Sequence, residues 1–98
     1  MHVTGEVESP EEGLRQARHL LQNGRFVDAA AVCRDILNQD ADHREALYTL
    51  AVAQRFGKDA SAALSTLGRL IKLAPSYGRA WQERGHCLRD LGDRKSVV

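Results

Sequence analysis

The chain predicts an all-α fold of antiparallel helix-turn-helix repeats, and three observations carry that expectation. Apolar residues recur at three- and four-residue spacing in five separate stretches. Short breaks rich in Gly, Asp and Pro divide those stretches. The pattern returns after a shift of 34 residues, in full upstream of Arg44–Tyr77 and cut short downstream of it. Abundant alanine, 5% aromatics and a near absence of β-branched runs favour helix over strand throughout.

The first helix is expected from about Pro10 to Gln22, turning Leu14, Ala17, Leu20 and Leu21 to one side. Ser9 can cap it, Pro10 suits the first helical position, and Glu12 completes a capping box. Asn23-Gly24 stops it, since both residues tolerate a left-handed backbone. The second helix runs from about Phe26 to Gln39, with Ala29, Val32, Cys33, Ile36 and Leu37 as its apolar stripe. Asp42 and Glu45 give the capping signal of a third helix, roughly His43 to Phe56, and Gly57-Lys58-Asp59 is the next turn. A fourth helix, about Ala60 to Leu73, presents Ala63, Leu64, Leu67, Leu70 and Ile71 and ends before Pro75. A fifth, about Gly78 to Leu91, carries Trp81, Gly85 and Leu88, and Gly92-Asp93 is expected to open another turn.

Ninety-eight residues suit one small domain. Residues 1–9 read as a disordered N-terminal tail, 10–93 as the repeat domain (units 10–43, 44–77 and a short 78–93), and 94–98 as a C-terminal tail. The net charge of +1 argues against general attraction to nucleic acid or acidic membranes. Arginine outnumbers lysine 11 to 3, so any basic patch is rich in planar, fork-shaped donors. Cys33 and Cys87 have no CxxC or CxxH partner and lie in apolar helical patterns, where a reduced thiol acts as a small hydrophobe. Met1–Glu8 has no apolar signal region and no apolar run approaches bilayer length, so a cytoplasmic protein is the default expectation.

Aligned at 34 residues, Ala17, Ala51 and Gly85 coincide, as do Ala29 and Ala63, Cys33 and Leu67, Ile36 and Leu70, Leu20 and Leu88, Leu47 and Trp81, and Gly24 and Gly92. Ala41 falls where Pro75 stands. A two-helix unit of this kind cannot bury its apolar face alone and must stack on its neighbours. The pattern resembles the tetratricopeptide repeat, W-x2-L-G-x2-Y, then A-x3-F, then P. Trp81, Gly85 and Leu88 fit in the third unit, and Leu47, Leu50, Ala51, Ala63, Leu67 and Pro75 in the second. Gln54 departs from the large apolar position, Arg84 from the usual Leu, and the first unit has Gly13 and Gln16 at the Trp and Leu positions. By this resemblance Trp81 belongs to the core.

The resemblance implies a right-handed superhelix whose first helices line a concave face that binds an extended peptide or a partner helix. Groove-facing positions are then Glu11, Leu14, Arg18 and Gln22; Glu45, Tyr48, Val52, Arg55 and Phe56; and Arg79, Gln82, His86 and Arg89. From these, Arg18, Tyr48, Val52, Arg55, Arg79, Gln82, His86 and Arg89 are the expected binding residues, a set suited to an acidic or carboxylate-bearing peptide. Leu14, Arg18, Thr49 and Glu83 stand where a carboxylate clamp needs Lys, Asn, Asn and Arg, which argues against chaperone-tail binding. Catalysis finds no support. There is no G-x-S-x-G and no P-loop, no histidine pair at i, i+4, and neither a cofactor nor a metal is implied. A runner-up reading makes the chain an assembly module of a longer enzyme, similar to repeat-bearing sulfotransferases or glycosyltransferases, with the catalytic domain beyond Val98. Apolar residues around Leu88 and Leu91 that lack a cover lead us to expect weak self-association.

Overall fold

A computed structural model describes residues 9–95, with side chains as far as Gly92. Except for Ser9, the expected N-terminal tail lies outside the described residues, as do 96–98 of the C-terminal one. Five helices follow in order: α1 (Pro10–Gln22), α2 (Phe26–Gln39), α3 (Arg44–Phe56), α4 (Ala60–Leu73) and α5 (Gly78–Lys95). Each packs on the next, and α1 also touches α3 and α3 touches α5. The odd-numbered helices therefore form one row, within a body of 56 × 28 × 17 Å.

The helix starts are local chemistry. Ser9 Oγ accepts from the Glu12 amide at 3.3 Å, and Asp59 Oδ1 accepts from the Ala62 amide at 3.2 Å. The start of α3 corrects the sequence reading: its cap is His43, whose Nδ1 accepts from the Ala46 amide at 3.2 Å. Asp42 lies one residue too early, and its amide donates instead to Asp40 Oδ1. Two turns use a left-handed residue at positions 34 apart, Gly24 with φ +77° and Lys58 with φ +72°. The expected turn Gly57-Lys58-Asp59 thus takes its left-handed residue at Lys58, while Gly57 keeps φ −81°.

Two further expectations are corrected. Gly92-Asp93 opens no turn, because α5 continues to Lys95 and takes in Arg94 and Lys95 of the expected tail. Glycine stops a helix by adopting positive φ, and among the described glycines only Gly24 does so. Trp81 is not core. It is 47% exposed, whereas its repeat equivalent Leu47 is fully buried, and its indole N–H donates to the Pro75 carbonyl at 2.7 Å. Among the described residues no helix covers the flank of α5 that corresponds to the α4-covered flank of α3.

The core is continuous along the stack. Ala17, Ala29, Ala30, Cys33, Leu50 and Ala53 form one buried cluster between the first two pairs. Leu47, Ala51, Ala63, Leu67, Leu70, Ala80 and Cys87 belong to the next. Leu14, Ile36 and Ala46 make a third, which removes Leu14 from the groove-facing set. Gln54, anomalous at an apolar position, is satisfied by the Thr66 hydroxyl of α4, which donates to its Oε1 at 2.7 Å.

Two predictions come from this architecture. A non-glycine residue in the left-handed region costs roughly 1 kcal/mol, so Lys58→Gly should raise stability by about 0.5 kcal/mol after its own entropic penalty. Urea denaturation checks this, and a loss of stability would show that the Lys58 side chain holds the turn. Burial pushes the Cys33 thiol from 9.0 up to about 12 and the Cys87 thiol up to about 11, because the charged forms are desolvated. The folded state keeps protons that the unfolded chain releases above pH 9.0, so this stability is complete below that pH and is lost as pH rises toward 11–12. Urea midpoints should fall between about pH 8 and about pH 10.5, and fall less in the Cys33→Ala/Cys87→Ala variant. An equal fall in both proteins would sink the assignment.

Candidate functional site

Helical spacing turns Glu45, Tyr48, Val52 and Arg55 of α3 toward the face shared with α1 and α5. A depression of about 220 Å³ opens there, lined by Arg18, Leu21, Glu45, Tyr48, Thr49, Val52 and Arg79. Its hub is Glu45. Arg18 Nη2 of α1 donates to Glu45 Oε1 at 3.3 Å, and Arg79 Nη2 of α5 donates to Oε2 at 2.8 Å. The Tyr77 hydroxyl donates to the same Oε2 at 3.0 Å and accepts from Arg79 at 2.9 Å. One carboxylate thus ties three helices together.

The Arg79 guanidinium lies 4.9 Å from the centroid of the Tyr48 ring and 5.3 Å from that of Tyr77. The two rings are tilted against each other at 6.0 Å. Burial raises the pKa of both phenols, Glu83 adding to the effect at Tyr48 and the hydrogen bond to Glu45 at Tyr77. Both stay protonated near neutrality, so Tyr77 keeps the proton it donates to Glu45. Arg18 and Arg79 remain about half exposed, with side chains 55% accessible. Two cations share one anion, so this part of the face keeps a surplus of positive charge and unused N–H donors.

Four of the eight expected binding residues therefore meet in one place: Arg18, Tyr48, Val52 and Arg79. Gln82, His86 and Arg89 continue along α5 on one helical stripe, Gln82 and Arg89 exposed and His86 half-buried. Arg55 stands apart. Its side chain is only 17% accessible and pairs through Nε with Glu83, whose side chain is 5% accessible, while Nη1 lies 3.7 Å from Asp90 Oδ2. Burial pulls the Arg55 pKa down, but the hydrogen bond and charge of Glu83 outweigh it, so the guanidinium ends above its ordinary value. Phe56 sits away from the groove, its ring tilted against that of Phe26 with centroids 5.6 Å apart, near the interhelical turns.

Sequence reasoning missed Leu21 and Thr49 as lining residues and Tyr77 as a partner of Glu45. For Tyr77 a signal existed. Ser9 and His43, at the two equivalent positions 34 residues apart, each cap the following helix. Tyr77 falls at the same place before α5 but is a poor capping residue, which leaves its side chain free for the groove. Among the described residues no group of three or more His, Cys, Asp or Glu side chains gathers to hold a metal, and no helix is long and apolar enough to cross a membrane.

Paired antiparallel helices of 34-residue period, with small residues at their contacts and a charged, aromatic face along the odd helices, define a helical-repeat protein, a class whose exposed faces serve recognition. Residues 20–84 match the tetratricopeptide repeat family, and the chain belongs to it. Members of this family generally mediate protein–protein interaction and are typically non-catalytic scaffolds. A comparison with curated proteins finds no match.

The buried pair generates a prediction. Arg55→Ala should cost about 3 kcal/mol in chemical denaturation, because it leaves the Glu83 carboxylate buried and unpaired. Replacing both, Arg55→Met with Glu83→Leu, should restore most of that loss. If Arg55→Ala unfolds at the wild-type midpoint, the pair is solvated and Arg55 is free to serve binding.

Proposed function

We propose that this chain is a non-catalytic scaffold that binds a protein segment, an extended peptide or a partner helix, along the face formed by α1, α3 and α5. The carrying observation is the depression in which Arg18 and Arg79 share the single carboxylate of Glu45 beside the apolar surfaces of Leu21, Tyr48 and Val52. An acidic side chain of the segment docks against the two arginines, whose planar N–H pairs suit a carboxylate. An apolar neighbour of that side chain covers Val52 and Leu21. Gln82, His86 and Arg89 extend the contact along α5. Tyr48 anchors it as a rigid aromatic with little entropy to lose. Arg55 contributes by fixing α5 on α3. Recognition is docking onto a preformed surface, with no bond made or broken.

Selection of a random peptide library against the chain should enrich sequences with an acidic residue next to an apolar one. Arg18→Glu with Arg79→Glu should weaken the selected peptides at least about tenfold, the size of one lost charge-assisted contact. Fluorescence polarisation measures this, and circular dichroism checks that the variant stays folded. Enrichment of basic peptides, or unchanged affinity in a folded variant, would overturn the acidic-segment reading.

A further inference from the structure

The two arginines of the depression are equally open but unequally held. Arg18 and Arg79 both have side chains 55% accessible. Among the described residues Arg18 donates only to Glu45 Oε1, at 3.3 Å. Arg79 donates to Glu45 Oε2 at 2.8 Å and to the Tyr77 hydroxyl at 2.9 Å. Its guanidinium also lies against the rings of Tyr48 and Tyr77, whereas no aromatic ring faces that of Arg18 among the described residues.

The difference traces to Tyr77. Its hydroxyl donates to Glu45 Oε2 at 3.0 Å while accepting from Arg79. Glu45, Tyr77 and Arg79 thus close a ring of three hydrogen bonds in which each group touches the other two. A phenol suits this place because one O–H group can donate and accept at once, and because its ring offers a π face to a cation. Ser9 and His43, at the same place before α1 and α3, turn their side chains to helix capping. The Tyr77 side chain goes to the groove instead, where it holds a residue of the first turn of α5.

Unequal hold gives the two arginines different work. A ligand that meets an ordered guanidinium freezes little additional rotamer freedom, so the contact lasts. A loosely held charge at the rim acts mainly on the rate of encounter with an approaching anion.

We propose that Tyr77 is the positioning residue of this site: it fixes Arg79 as the rigid anchor for a carboxylate of the partner segment, while Arg18 remains a mobile steering charge. The carboxylate ligand rests on the function proposed above, whereas the hold of Tyr77 on Arg79 is a property of the free chain.

Tyr77→Phe removes the hydroxyl and keeps the ring. In the free 98-residue chain, NMR relaxation of the arginine Nε–Hε groups should give Arg79 an order parameter near the roughly 0.85 of a rigid backbone and Arg18 one below about 0.6. Tyr77→Phe should lower Arg79 toward the Arg18 level. The binding probe is a labelled peptide from the library selection, with a glutamate beside a leucine, followed by stopped-flow fluorescence. It should leave the Tyr77→Phe chain about three- to tenfold faster, the fold-change that corresponds to ordering one flexible side chain. Arg18→Ala should do the reverse, slowing association, most at low salt, with dissociation nearly unchanged. Arg79 no more ordered than Arg18, or equally ordered in Tyr77→Phe, overturns the proposal. So does a wild-type dissociation rate in Tyr77→Phe, or a loss of urea stability in that variant while Arg79 stays ordered, which makes the hydroxyl merely structural. If no acidic peptide is recovered but Arg79 is ordered through Tyr77, the acidic-segment reading fails and the hold of Tyr77 on Arg79 stands.

Discussion

The close approach of neighbouring helices at alanine is the constraint on which everything else depends. Ala17, Ala29, Ala46, Ala51, Ala63 and Ala80 are all fully buried, and each stands where a larger side chain would hold two helix backbones apart. Because these contacts are small, the surrounding Leu47, Leu67, Leu70 and Ile36 can close over them and are themselves buried. The same spacing carries α1, α3 and α5 into a row near enough for one carboxylate, Glu45, to reach arginines from both neighbouring helices. The geometry of the groove follows from its alanines before any polar residue is considered.

Charge on that row is divided between holding and presenting. Arg55 and Glu83 are deep enough that their pairing positions α5 on α3, and separating them would strand a buried charge. Arg18, Glu45 and Arg79 are shallower, and exposed pairs of this sort add little to stability, about 0–1 kcal/mol each. Their worth lies in pre-organisation. Arg79 lies against the rings of both Tyr48 and Tyr77 and is bonded to Glu45, so a ligand meets a guanidinium already held in place and little further entropy is lost on binding.

Most of the architecture was legible in the sequence because it is set locally or by the period. Four of the five helices fall where capping residues, glycines and Pro75 place them, and the 34-residue register assigns Ala51, Ala63 and Leu67 to the core. His43 displaced Asp42 as the α3 cap because the helix begins at Arg44, which puts the His43 side chain at its mouth whatever the residue preference. Helical spacing turns Arg55 toward the shared face, but it did not reveal the pairing with Glu83, 28 residues away, because spacing within one helix says nothing about what a neighbouring helix supplies. The bond of Tyr77 to Glu45, 32 residues away, was hidden for the same reason, although the place of Tyr77 in the register marked its side chain as free.

Trp81 shows how one register position changes meaning with its neighbours. At the equivalent place Leu47 is sealed beneath α4. Trp81 has the right residue type for such a site, but among the described residues no helix lies over it. A family signature names what a position is shaped to contact, and the structure shows whether that contact is made. Gly85 and Gly92 carry the same lesson. Gly85 stands in register with Ala51, which packs in the core shared with α4, and Gly92 with Gly24 and Lys58, which take the left-handed turns, so the meaning of both glycines is set by the repeat and not by α5 alone.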